Sequence, residues 1–384
     1  MKVELHRSQG EAITQAPDWD RIPDPSMDGP NTLVMVLGDT ALLEHPLVFA
    51  EYVAAFPTSV IIGCSTAGQI LDDSISDDAV TLMVAAFEHT RLAKASAELP
   101  NADASFEVGT ALAESLNADD LTAVLLLSCG VGVNGSELVR GLSGGLHESV
   151  VITGGLAGDG TRFARTWVVP DRAPRESYVT AVGFYGDRLQ VGYGSSGGWV
   201  IFGPERRVTR SRGNVLFELD GEPALALYKQ YLGELAGGLP ATGMRFPLAL
   251  TEFSGSSREL VRTVLTIDEQ EQSMTFAGDI PQGWLAKLMR ASSNELIDGA
   301  EEAARLARDR GQSSGAVLSI AISCVGRRMV LGENTEEELE VTLEKLPIGT
   351  RQVGFYSYGE ISSNGVGMCD LHNQTMTLTT LFEQ

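Results

Sequence analysis

One plan occurs three times in this chain: an apolar strand that ends in Gly, a short helix, and a second apolar strand that runs into a Gly-rich turn. The first copy reads Val34-Met35-Val36-Leu37-Gly38, a helix over Pro46 to Phe56, Val60-Ile61-Ile62-Gly63, then Ala67-Gly68-Gln69. The second reads Val124 to Leu127 and on to Gly130, a helix over Ser136 to Leu146, Val150-Val151-Ile152, then Ala157-Gly158-Asp159. The third reads Ala321 to Gly326, a helix over Thr335 to Leu346, Val353-Gly354-Phe355, then Tyr358-Gly359-Glu360. The two marker glycines of each copy stand 30, 28 and 33 residues apart, the length of one strand-helix-strand unit. Such a chain folds as a mixed α/β protein. Its three turns fall at equivalent strand ends, where open α/β sheets take their ligands.

Around these copies the organisation is regular. Residues 1–30 are polar, carry Pro17, Pro23, Pro25 and Pro30, and read as a loosely ordered lead-in that includes His6. Ala79 to Phe87 with a turn at Glu88-His89, and Tyr178 to Tyr185 with a turn at Gly186-Asp187, read as hairpins after the first and second copies. Residues 31–98 and 122–194 thus look like a duplicated unit. Pro223 opens a helix over Ala224 to Leu232, proline being suited to the first helical turn. Two domains are expected from 384 residues with 43% apolar content, divided as 31–218 and 219–384. Both would have mixed sheets covered by helices.

The formal charge of −23 argues against nucleic acid and anionic membrane as partners, because both require a basic face. No apolar run reaches the ~18–20 residues of a membrane span, and the stretch from Met1 to His6 lacks a signal-peptide core. A cytoplasmic location is the expectation. Cys64, Cys129, Cys324 and Cys369 show no C-x-x-C spacing, which predicts reduced, mostly buried thiols.

Five stretches together resemble the FIST family of bacterial sensory proteins: Gly63 to Gly68, Val208 to Leu225, Leu239-Pro240-Ala241-Thr242-Gly243, Tyr356 to Glu360, and Leu371 to Thr377. The resemblance implies an N-terminal and a C-terminal FIST region and intracellular sensing of small molecules such as amino acids. For a subset it implies haem that reports nitric oxide to a histidine kinase or a cyclic-di-GMP enzyme. Where the family often carries an acidic residue after its first Ala-Gly, this chain has Gln69.

The candidate ligand contacts follow from residue chemistry. Cys64, Ser65, Thr66 and Gly68 offer a thiol, two hydroxyls and consecutive amides to a carboxylate or phosphate, or else form a plain tight turn. Asp159 and Glu360 suit an ammonium or hydroxyl, or serve as turn carboxylates, and Gly158 shapes the turn before Asp159. Tyr356 and Tyr358 supply aromatic walls. Trp199, Arg210, Arg212 and Arg245 form a basic-aromatic group able to hold an acid, although Glu218 and Asp220 stand ready to pair with the arginines. Cys64 lacks the spacing of a nucleophile elbow, so no catalytic residue is assigned and Cys-dependent hydrolysis is the weakest alternative. Haem would need an axial ligand, for which His147 and His372 are the candidates.

Overall fold

Each of the three copies folds as a parallel strand pair with an antiparallel third strand beside the first. The structure, a computed structural model, describes residues 1–8, 17–256, 259–311, 317–363 and 369–384. In the first unit Thr32–Gly38 pairs in parallel with Val60–Ser65 and antiparallel with Val80–Ala86. Leu121–Ser128, Val151–Leu156 and Tyr178–Tyr185 repeat this in the second unit, and Leu318–Cys324, Arg351–Ser357 and Met376–Glu383 in the third. The first strand of each unit is buried over nearly its whole length, which is why these strands read as continuous apolar runs instead of alternating ones.

The units are laced together by exchanged strands. Arg91–Glu98 leaves the first unit to flank Tyr178–Tyr185 of the second, and Leu189–Ser196 leaves the second to flank Met376–Glu383 of the third. The Lys2–Ser8 strand takes the corresponding place beside Val80–Ala86. Beyond each marker turn the chain crosses in the opposite sense. Gln69–Leu71 with Ser74–Ser76 joins the sheet of the third unit, and Gly359–Ser363 with Cys369–His372 joins that of the second. From the second turn, Val168 bridges Cys64 of the first unit. Three sheets of the same order therefore enclose a shared core. Leu33, Met35 and Leu37 meet Leu125 and Leu127, together with Ile320, Ile322 and Phe355, at its centre.

A separate lobe is inserted between Leu189–Ser196 and the helix Ser293–Gly311. Its nine-stranded sheet runs from Glu259–Arg262 through Leu248–Thr251, Leu285–Arg290, Arg206–Arg212, Val215–Leu219 and Ser273–Phe276 to Val264–Asp268. The helix Ala224–Leu232 packs Leu225, Tyr228 and Leu232 against it. A division between residues 218 and 219 thus falls inside this sheet, within the strand Val215–Leu219. Residues 318–384, meanwhile, complete sheets begun by 32–196.

The lead-in reading of residues 1–30 is corrected at its start, where Lys2–Ser8 is a strand and His6 is fully buried. One face of that strand carries Glu4, His6 and Ser8, all buried, while Val3 and Leu5 on the other face join the shared core. His6 Nδ1 is bonded to Arg21 O at 2.8 Å, and the Tyr52 hydroxyl donates to Ser8 at 3.3 Å. The helices Ser105–Leu116 and Val325–Leu331 add to those read from the sequence. Among the described residues no helix is long and apolar enough to cross a membrane.

Candidate functional site

The marker turns are built from buried, internally satisfied groups. In the first turn Ser65 N donates to Trp167 O, Thr66 N to Gly38 O and Ala67 N to Tyr356 O, at 2.8–3.1 Å. Gly68 N and Gln69 Nε2 both reach Thr66 Oγ1. Cys64, Ser65, Thr66 and Gly68 thus form a closed turn, and no row of free amides faces an anion. Burial pushes the Cys64 thiol well above its ordinary range, so it packs as a small apolar side chain. Gly158 is required by close approach: a Cβ there would lie 2.8 Å from Ala67 N.

Asp159 is buried and acts on its own loop. Its Oδ1 accepts from Phe163 N (2.8 Å) and its Oδ2 from Ala164 N (3.0 Å) and Arg165 N (2.9 Å). The Tyr358 hydroxyl donates to Oδ1 as well. These bonds leave Asp159 no role as an open counter-charge for an ammonium. Glu360 is likewise enclosed, its oxygens accepting from Ser357 Oγ (2.6 Å), Thr375 N (3.1 Å) and Thr375 Oγ1 (3.0 Å). Burial raises its pKa to about 7, against the lowering effect of those bonds and of Arg327. Tyr356 lies inside the body that the three sheets form, hereafter the prism, its hydroxyl donating to Glu338 at 2.7 Å. Glu338 in turn pairs with buried Arg327 at 2.8 Å.

Of the basic group, Arg210 pairs with Glu218 at 2.8 Å and covers Phe217, the surface role its acidic neighbours allow. Arg245 is exposed on the lobe. Arg212 is different. It has no hydrogen bond or ion pair among the described residues, and it lines a cleft of about 440 Å3 between the lobe and the carboxyl ends of Leu121–Ser128 and Val151–Leu156. Across from the lobe, the prism contributes Asp103, Gly130, Leu156, Phe163 and Tyr358. The rings of Phe163 and Tyr358 stack at 4.3 Å and 15°. Of the residues singled out on the sequence, the cleft brings together Arg212 and Tyr358, with Asp159 behind them. Asp103 and Phe163 were missed because neither belongs to a repeated motif. The floor of the cleft is tied to the lobe by Asn134 Nδ2 donating to Asp279 Oδ1 at 3.1 Å.

Trp199 and His372 line a second cavity of about 360 Å3, where the chain enters the lobe. The Trp199 indole N–H donates to Gln374 O at 2.7 Å. Val261, Met289 and Leu306 share the lining with Glu259, Arg310 and Thr375, a mixed surround whose charged groups do not suit the apolar faces of haem. His147 is exposed in a turn, bonded to Ser149 at 2.8 Å. Neither histidine is set in an environment that fits the group. No cluster of three metal-ligating side chains is present among the described residues.

Residues 32–222 match the family model of the FIST N domain, and residues 224–363 that of the FIST C domain. A search of curated proteins finds no match.

Proposed function

The chain belongs to the FIST family, a sensory module, and from that premise we propose that it is a binding protein whose ligand is a small amino-acid-like metabolite held in the cleft between prism and lobe. One observation carries this reading: the unpaired guanidinium of Arg212 shares the cleft with Asp103 and an aromatic stack. Arginine recognises a carboxylate, and Asp103 on the opposite wall supplies the partner for an ammonium. The volume lies within the range of small-molecule sites. The location at the carboxyl ends of a parallel pair supports it further.

The lobe is joined to the prism by two short connections, at 197–199 and 291–292, and rests on it through the apolar cluster of Trp199, Ala249, Met289, Leu296 and Leu331. A ligand bridging lobe and prism therefore biases the lobe toward one position, which a separate output protein reads. A cytoplasmic histidine kinase or cyclic-di-GMP enzyme is the partner class this reading assigns, and catalysis by the chain itself is not part of it.

Thermal-shift screening of amino acids on the wild type and on Arg212→Ala tests the proposal. The expected result is stabilisation of the wild type and a ten- to hundredfold weaker affinity in the variant, about 1.4–2.7 kcal/mol. Stabilisation by neutral apolar compounds alone, or equal responses of both proteins, would refute it.

A further inference from the structure

Phe163 has a backbone φ of 50°, the left-handed region that a bulky side chain avoids. Such strain persists only where surrounding structure enforces it, and it gathers at ligand sites. Here the enforcement is visible. The buried Asp159 carboxylate takes the amides of Phe163, Ala164 and Arg165 in succession. The Tyr358 hydroxyl donates to that carboxylate and accepts from Phe163 N at 3.2 Å and from Asp159 N at 3.1 Å.

The result is a fixed aromatic surface. Tyr358 is buried and backs Phe163 from behind, while the Phe163 ring is partly exposed and lines the cleft. A loop that needed only to turn would be served by Gly or Asn at this φ. The aromatic side chain is held in an unfavourable conformation in order to present its face.

We propose that Phe163 is a stacking platform and that the cleft selects a planar aromatic amino acid, ring on Phe163 and carboxylate on Arg212. This rests on the reading of the cleft as an amino-acid site and adds its selectivity. Asp159 is a positioning residue that holds the platform from outside the cleft, and Tyr358 backs the platform within the same wall. Offset stacking adds to what burial of the ring's area supplies, so a saturated ring of the same size fills the same space without that gain.

The test uses the full chain and two probes of equal charge and similar size, L-phenylalanine and L-cyclohexylalanine, measured by titration calorimetry. The expected preference for phenylalanine is about three- to tenfold, kept in Phe163→Tyr and erased in Phe163→Leu. Should Phe163→Leu fail to fold, the comparison of the two probes on the wild type still decides. Equal affinities with dependence on Arg212 intact overturn the platform and leave the amino-acid site standing. Binding of neither probe in an Arg212-dependent manner overturns both.

Discussion

Replacing Gly354 by Ala should disrupt the third unit at its centre. Gly354 pairs across the parallel ladder with Ala321, and a Cβ at that position would lie 1.6 Å from the Ala321 carbonyl oxygen. Reaching an ordinary contact of 3.4 Å or more requires the two strands to part locally by about 2 Å, which lengthens the neighbouring ladder bonds beyond useful range. Losing two such bonds removes about 1 kcal/mol each, and two buried polar groups left unpaired cost about 1–3 kcal/mol each. The total is about 4–8 kcal/mol, comparable to the whole stability of a typical domain at about 5–15 kcal/mol. Gly63 and Gly154 occupy the same register against Val36 and Leu126, with Cβ positions 2.2 and 1.8 Å from those carbonyl oxygens, so Ala there should act alike. Gly144 ends a helix with nothing within 4 Å of its Cβ position, and Gly144→Ala should stay within about 1 kcal/mol of wild type. Urea unfolding followed by circular dichroism reads all four variants. A loss below about 1 kcal/mol for Gly354→Ala would show that the close approach is not a constraint.

Stability should fall as pH rises from about 4.5 to about 7. Buried Glu360 has its folded pKa raised to about 7 from an ordinary 4.5, so its contribution is complete below 4.5 and is lost on ionisation, about 3 kcal/mol over the window. Denaturation midpoints across pH check this, and Glu360→Gln should flatten the slope. Glu338→Gln leaves Arg327 buried without its carboxylate and should cost about 3–5 kcal/mol by chemical unfolding. The double replacement Arg327→Met with Glu338→Leu should recover part of that loss.

Much of the prism was legible because its signals are local. The parallel pairs appear as apolar runs separated by helical lengths, and the turn glycines recur at near-constant spacing. The helix Ala224–Leu232 has the bounds its opening proline suggested. Three kinds of information were hidden. The exchanged strands Arg91–Glu98 and Leu189–Ser196 have ordinary strand sequences, and nothing local tells them to pair outside their own unit. The edge strand Lys2–Ser8 buries the polar face of Glu4, His6 and Ser8 as well as the apolar face of Val3 and Leu5, and a short stretch with so many polar residues reads as a loop. The register-matched glycines Gly63, Gly154 and Gly354 look like any others until the neighbouring carbonyl is placed beside them. At the cleft, Arg212 and Tyr358 were visible as chemistry. Arg210 stands opposite Glu218 across its hairpin and Arg212 opposite Val215, and so the two arginines, two residues apart, have different fates. Asp159 and Glu360 were visible as carboxylates, but their burial was not.

Three equivalent units offer three equivalent strand-end positions, and among the described residues the one at the second unit opens as a cleft against the lobe. At the first unit the fully buried Trp167 fills the space, its indole N–H donating to Asp39 O at 3.0 Å and its ring set edge-on to Phe49. At the third unit the Gln374 side chain crowds Gly326, and Arg327 sits fully buried with Glu338. At the second unit Gly130 carries no side chain, Tyr358 and Phe163 form a wall, and the lobe stands opposite with Arg212. The plugged sites give rigidity, since a large buried ring and a buried ion pair both resist rearrangement. The open one is bounded by two bodies joined through short connections. On the reading proposed above, a ligand in this cleft touches both bodies, so the inserted lobe is placed to respond to what binds.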